Sequence, residues 1–466
     1  MKEIDFLIIY EHKNREFESI ALLKHELVRR GYTVEFFSFD EYHNVKKRRR
    51  LFNNVKIAIM PSLYHDEEIQ TFVYGVAGRV KNIVNLRWEQ IFSRATEENL
   101  DYYVYPKGNA KYAYHCCWGE KPRQMLMDTG VDEDKLFITG PIQMDFVRKD
   151  FNGFYLSRAE LFDEFGIDKD RECILFISSF AISSMDKWTL EWLYSQYEGV
   201  ELEELKKYLT VEAGSRNTIV EWLKKIASLN KCTIIYRPHP AEANTELIEQ
   251  LKMIDNIKVI SDYNIKQWIL ACDQVYTWNS TSLTEASVAG VPCAVLRPAP
   301  LSYNDEYPIY DGFPVIKTFE EFKNHYESGS IDGSAYLLDS EKTSEYLSVN
   351  PTIPSYIRTS NVMEEAIKDT YNFPWSNFTE DELEIIEKNL FKHDFQRVTA
   401  NMIIGPFNHL KLKRRVTGRF FPKLSDKYAK MTRSKKPPIS NEEFEKMDER
   451  IAEVLSKIKT PYSNNQ

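Results

Sequence analysis

The stretch Ile234 to Glu242 reads IIYRPHPAE. The apolar run from Cys232 to Tyr236 has the length and composition of a buried strand. It stops on Arg237, and His239 then stands between Pro238 and Pro240. Proline fixes its own φ and restricts the residue before it. His239 is therefore presented at a strand end with little conformational freedom left to lose. In open α/β sheets, ligands bind outside the carboxyl ends of strands. A surface turn and a ligand-binding loop both fit this stretch taken alone.

About forty residues on, Val275 to Val295 reads VYTWNSTSLTEASVAGVPCAV. A strand ends near Trp278, the polar run Asn279-Ser280-Thr281-Ser282 follows, and a helix begins. Hydroxyls at a helix start, with free amide groups and the positive end of the helix dipole, make an anion site. Ser282 and Glu285 also have capping-box spacing. That purely structural role accounts for those two residues but not for Ser280 and Thr281. Gly290-Val291-Pro292 stops the helix and brings the next strand straight back.

The same alternation runs outward in both directions. Strands are expected at Asp5–Tyr10, Tyr32–Phe37, Val55–Met60, Lys81–Leu86, Ala113–Trp118 and Leu136–Thr139, with a helix over Arg15–Arg30. A second cycle begins near Arg171, with strands at Cys173–Ser178, Cys232–Tyr236, Ile257–Ile260, Gln274–Trp278 and Pro292–Leu296. Helices are expected between them, one at Thr218–Leu229. Alternating strands and helices predict doubly wound parallel sheets. The predicted organisation is two Rossmann-like domains, 1–150 and 171–350, joined by a linker over 148–170 and facing a cleft. A helical extension, 351–466, follows.

RPHP after one strand and NSTSLTEA…GVP after a later one resemble the C-terminal half of GT-B glycosyltransferases. Within these the chain is most similar to bacterial surface-carbohydrate (capsule) proteins related to HP-motif Kdo transferases and bacterial sialyltransferases. EHKNREFESIALLKHELVRRGYTVEF (11–36), CCWGEKPRQML (116–126) and DKLFITGPIQMDFVR (134–148) resemble passages of the N-terminal domain of such proteins. The resemblance spans Ile4 to Leu296. It implies a nucleotide-sugar donor, CMP-linked, carrying a Kdo- or sialic-acid-like sugar, and a glycan or glycolipid acceptor. It further implies that His239 hydrogen-bonds the donor phosphate, that Ser280, Thr281 and Ser282 bind the same phosphate, and that Arg237 adds charge. Asn279 belongs to this group, and Glu285 would reach ribose hydroxyls. Stabilising a departing anion in this way needs preorganised donors and calls for no metal or resident cofactor.

Glycosyl transfer also wants a carboxylate to act on the acceptor hydroxyl. The sialyltransferase pattern of paired acids before glycine is missing from the N-terminal half. Glu89, in NLRWEQ, is the first candidate and Glu11 the second, with Arg15 and Arg87 as acceptor-side cations; the structural alternative for either acid is a helix-start carboxylate. Asp132-Glu133-Asp134 lies in a turn and is rejected as a metal motif. His115 beside Cys116-Cys117 reads as core. Neither GxxxxGK[ST] nor GxGxxG occurs, which argues against P-loop and dinucleotide enzymes. Three rival readings remain: polyol-phosphate transfer from a CDP-alcohol, which wants a second histidine among His12, His65 and His115; a non-catalytic nucleotide- or glycan-binding scaffold; and a nucleotide-sugar epimerase.

Composition bounds the rest. The 466 residues carry a net charge of −9, yet 411–436 holds eleven Lys/Arg against one Asp, about +10. Interleaved with Phe420, Phe421 and Tyr428, this stretch is expected to touch anionic membrane or to pair with the body's acids near Glu380–Glu387. Nucleic acid is disfavoured by the acidic remainder. The six cysteines form no CxxC pair and read as buried thiols of a reducing compartment. The N-terminus does not resemble a signal peptide, and no run approaches a membrane span. The expected location is the cytoplasm, peripheral on the membrane's inner face.

Overall fold

The computed structural model describes residues 3–39, 52–185, 187–195, 199–239, 242, 245–332, 340–383 and 438–458. Two six-stranded sheets carry the fold. The first contains β1 (Ile4–Tyr10), β2 (Val34–Ser38), β3 (Val55–Met60), β4 (Asn82–Asn85), β5 (Tyr114–Cys117) and β6 (Leu136–Ile138), in the order β2-β1-β3-β4-β5-β6. The second contains β7 (Glu172–Ile177), β8 (Cys232–Arg237), β9 (Ile257–Val259), β10 (Gln274–Thr277), β11 (Cys293–Leu296) and β12 (Val315–Ile316), in the order β12-β11-β10-β7-β8-β9. Every strand pair is parallel. This is the GT-B arrangement of two doubly wound α/β domains.

Parallel sheets are covered on both faces, so their strands read as continuous apolar runs. Phe6 to Ile9 in β1 and Ile174 to Phe176 in β7 are wholly buried. Each such side chain contributes about 1.5–3 kcal/mol before chain entropy is counted. That density is why the strand positions were legible.

Helix α1 (Lys13–Arg29) lacks a side-chain N-cap of its own. Buried Glu16 substitutes: its carboxylate accepts the amides of Glu11 at 2.9 Å and His12 at 3.2 Å. Two further helices matter in this half, α2 (Arg94–Glu98) and α3 (Glu120–Asp128).

The stretch 148–170 is not a loose linker. It holds α4 (Arg158–Phe165), closed by a Ser157–Glu160 capping box and by Gly166 at φ +60°. Leu161 and Phe162 on α4 are fully buried against the second domain. Its eight residues are too few for a periodic signal to stand out of a polar stretch. Helix α5 (Gly199–Ser228) is thirty residues long and starts well before the expected Thr218, because the charged run 201–207 masks its apolar stripe. Two short helices, α6 (Ile265–Ala271) and α7 (Leu283–Val288), follow β9 and β10.

The described residues after 340 pack onto the rest of the fold. Helix α8 (Ser340–Tyr346) leads into a crossing segment, and α9 (Ser355–Lys368) and α10 (Asn441–Ser456) return to the first sheet. Tyr356, Ile357, Met363, Phe444 and Ile451 share one buried cluster with Phe6, Ile8 and Leu23. Ser348 donates its amide to Trp118 O at 2.6 Å during the crossing. A Cβ at Gly119 would stand 2.5 Å from the Tyr346 carbonyl carbon, and one at Gly140 (φ +74°) 2.5 Å from Ser348 O. Only glycine lets the segment lie this close. Helix α9 follows Pro354, and its first amides are satisfied from 210 residues away. The buried Asp145 carboxylate accepts Ser355 N at 2.9 Å and Tyr356 N at 2.7 Å, a carboxylate at the positive end of a helix. The acids near Glu380–Glu387 lie partly, and the basic stretch 411–436 wholly, outside the described residues.

Candidate functional site

The order of the second sheet reverses between β7 and β10, so a ligand crevice is expected there. The two loops at this point are tied together. Asn279 donates its amide to Ser179 Oγ at 3.0 Å, Thr277 its hydroxyl to Ile177 O at 2.7 Å, and Ser280 its amide to Thr277 Oγ1 at 3.1 Å. The neighbouring β8 delivers His239. The prolines are not its only restraint. Glu242, fully buried, accepts the His239 amide at 3.1 Å, the Tyr236 phenol at 2.6 Å and the Ser178 hydroxyl. The Glu242 amide returns to His239 O at 2.8 Å. Burial pushes the Glu242 carboxyl up and the half-buried His239 imidazole down. An imidazole below its ordinary value of 6.5 is neutral at pH 7 and can donate one N–H to an anion.

Three expectations change. Arg237 does not present an open fork: its two terminal nitrogens donate to Asp262 O at 2.7 Å and Tyr263 O at 2.5 Å, clamping the turn after β9. Ser282 and Glu285 form no capping box. The helix-start amides are used within the turn: Leu283 N reaches Ser280 O at 3.1 Å, Thr284 N Thr281 O at 3.0 Å, and Glu285 N Ser282 O at 3.1 Å. The anion-binding capacity of this turn therefore rests on the hydroxyls of Ser280, Thr281 and Ser282, of which Thr281 is exposed and the others half-buried. Burial raises the pKa of the Glu285 carboxyl, with Lys266 of the same domain and Glu18 of the first domain acting on it electrostatically.

Sequence reasoning passed over Glu242, Ser178, Ser179 and Arg297. Arg297 follows β11 and is buried; it donates to Glu306 at 2.9 Å and to Asn279 Oδ1 at 3.3 Å, and lies 5.3 Å over the Trp278 ring. A signal for it existed: Leu296-Arg297-Pro298 repeats the strand–Arg–Pro pattern of Tyr236-Arg237-Pro238.

In the first domain, Arg15 gathers the acids. It pairs with Glu89, with Glu16 at 2.9 Å and with Glu11 at 3.9 Å. Glu89 is 63% exposed and Glu11 41%. The charge on Glu89 reaches Tyr307 of the second domain and, after burial, helps raise that phenol's pKa. His12 also stands at this rim, 56% exposed and 3.6 Å from Glu11. His115 is core: fully buried, it bonds Asn85 at 3.1 Å and Ala110 O at 3.1 Å, and burial lowers its pKa to about 3. Arg87 does not present an open fork at the surface; it is wholly buried. The domains meet through Glu18 with Lys266 at 3.1 Å and Tyr155 at 2.7 Å, Glu98 with Tyr303 at 2.9 Å, and Arg94 with Asp311.

Asp132-Glu133-Asp134 stays a turn, and among the described residues no group of three or more His, Cys, Asp or Glu is placed to hold a metal. All six cysteines are buried thiols. No described helix is long and apolar enough to cross a membrane.

No protein-family model and no curated protein matches the sequence. Among solved structures, the chain is similar to a protein described as a UDP-N-acetylglucosamine 2-epimerase from Listeria monocytogenes (14% identity, 79% of this chain and 96% of that one, TM-score 0.49). It is similar also to the UDP-GlcNAc 2-epimerase of Methanocaldococcus jannaschii (12%, 78% and 99%, TM-score 0.47). A third is the wall teichoic acid polymerase TagF (10%, 78% and 88%, TM-score 0.48).

Proposed function

We propose that the protein is a glycosyltransferase that moves a Kdo- or sialic-acid-like sugar from a CMP donor to a surface glycan or glycolipid. The observation that carries this reading is His239, delivered by β8 beside the β7–β10 switch point with its amide held by the fully buried Glu242. In the proposed reaction Glu89 removes the acceptor hydroxyl's proton while the new glycosidic C–O bond forms. The bond between the anomeric carbon and the phosphate oxygen breaks, and CMP leaves with the electron pair. The His239 N–H and the hydroxyls of Ser280, Thr281 and Ser282 would bear on that developing charge. The basic stretch 411–436 would bring the enzyme to an anionic membrane carrying the acceptor; this rests on sequence alone.

One observation favours a second reading, polyol-phosphate transfer from a CDP-alcohol. With His115 buried, the half-buried His65 and the exposed His12 remain, and His12 stands 3.6 Å from Glu11, one of the candidate acids. It could serve as that reaction's base.

The test is a thermal-shift titration with CMP, CDP, UDP and GDP on wild type, His239→Ala and Glu89→Gln. A ligand bound to the folded state raises the melting temperature. CMP or CDP should stabilise the wild type and Glu89→Gln but not His239→Ala. Transfer by Glu89→Gln should then fall by about 100-fold or more. Stabilisation by UDP alone would reject the cytidine donor. No response to any nucleotide would replace the enzyme with a scaffold.

A further inference from the structure

Arg87 follows β4 by two residues, in the same loop as Glu89. Its side chain is fully buried, and Nε, Nη1 and Nη2 all lack a hydrogen-bond partner. Its φ is +48°, uncommon for a residue with a Cβ. The groups acting on it electrostatically are Cys117, Tyr64 and Tyr105, and it acts in turn on His115. No carboxylate is among them. Burial holds Tyr64 and Tyr105 up at about 12, Cys117 at about 11 and His115 at about 3, so none carries charge at neutral pH.

A guanidinium cannot shed its proton at neutral pH, and a buried charge without a partner is strongly unfavourable. Elsewhere the chain supplies its inward arginines: Arg30 has Glu26 and Glu364, and Arg297 has Glu306. Arg87 alone of these three receives no anion from the fold. The aromatic group around it reaches the surface. Tyr64 is half-buried, and Tyr103, edge-on to Tyr64 at 6.4 Å, is 59% exposed. Phenol rings offer stacking area to a sugar, and the fork of Arg87 matches the paired oxygens of a phosphate or carboxylate. Arg15 pairs with the neighbouring Glu89, which offsets the repulsion an anionic acceptor would feel there.

We infer that the acceptor is itself anionic, and that Arg87 receives its oxyanion, a sugar-borne phosphate or carboxylate, beside Glu89. This deepens the transferase reading and rests on it for the word acceptor, whereas the anion site rests on Arg87 alone. A site for an acidic sugar fits an enzyme extending a charged polymer.

The experiment uses full-length wild type, Arg87→Met, Arg87→Lys and His239→Ala. The probes are glucose, glucuronate, glucose 6-phosphate and CMP at matched ionic strength. Glucuronate or glucose 6-phosphate should raise the wild-type melting temperature by roughly 2–4 °C near saturation, and glucose should not. Whichever acid acts identifies the oxyanion. Arg87→Met should abolish that shift, keep the response to CMP, and melt above the ligand-free wild type, because an unpaired buried charge has been removed. Arg87→Lys should retain part of the shift. His239→Ala should keep the response to the acidic sugar. Arg87→Met melting below wild type, with the acid response unchanged, would make Arg87 a structural residue and overturn the inference. Loss of the CMP response in Arg87→Met would put Arg87 in the donor site and overturn it equally. Failure of CMP on wild type, with an Arg87-dependent acid response intact, would remove the donor reading and leave the anion site standing.

Discussion

Glu242 offers the sharpest test of how the His239 loop is held. Its carboxylate takes three donors, from Ser178, Tyr236 and the His239 amide, with no exposure to solvent. Hydrogen bonds to a charged acceptor contribute about 1.5–3 kcal/mol each, and a buried donor left unpaired costs about 1–3 kcal/mol. Tyr236 can turn to Ser178 Oγ, already 3.2 Å away, so one of the three losses is partly recovered. Burial also disfavours the ionised form of Glu242, and removing it returns that penalty. Glu242→Ala should therefore cost about 3–5 kcal/mol, while Glu242→Gln, which keeps one acceptor and the volume, should cost about 1–2 kcal/mol. For a unit of the second domain's size the alanine change corresponds to a fall of roughly 6–20 °C in melting temperature. In Glu242→Gln a slackened His239 should weaken nucleotide binding about tenfold even where the protein is folded. The assays are calorimetric melting and nucleotide titration on the same preparations. An alanine variant that melts within a degree of wild type and binds nucleotide normally would refute the reasoning, and the prolines alone would then account for the loop.

Two further outcomes follow from the contact between the domains. The half-buried Glu97 carboxyl accepts the Tyr346 phenol at 2.9 Å, and burial raises it from 4.5 to about 7. A carboxyl raised in the folded state contributes stability that is complete below pH 4.5 and lost as pH rises through 7. Glu97→Gln should flatten that slope and make the protein more stable than wild type at pH 8, by at most ~3 kcal/mol, as read by denaturant melts across pH 4.5–8. Gly140→Ala should lose about 2 kcal/mol or more, since φ +74° and the 2.6 Å approach to Ser355 Oγ both oppose a Cβ; proteolysis in the crossing segment near Ser348 should quicken in parallel.

The sheets were legible because a strand covered on both faces needs a run of apolar residues, and such a run needs no partner to be recognised. The α7 turn was legible in position but not in bonding. Ser282 and Glu285 have capping-box spacing, yet Ser282 takes up helical angles and the turn closes its own amides. The role of Asp145 was invisible because its partners, Ser355 and Tyr356, lie 210 and 211 positions away. The same holds for α9 and α10. A helical extension was expected over 351–466, but nothing local says that these helices complete the first domain.

The three strand-end arginines show where local pattern stops and site chemistry starts. Arg87, Arg237 and Arg297 each stand at or just past a strand's carboxyl end, where an α/β protein places its ligands, and sequence treats them alike. What separates them is how far the fold consumes their donors. Arg237 is occupied by two carbonyls that fix the turn after β9. Arg297 is held by Glu306 and Asn279 and leaves one buried nitrogen, Nη1, without a partner. Arg87 leaves all three. Binding capacity is the remainder after internal bonds are made, and that remainder orders the three differently from their motifs. The arginine in the most suggestive motif, RPHP, is the one most committed to structure. Arg87, in NLRWEQ, has the most left to offer a ligand.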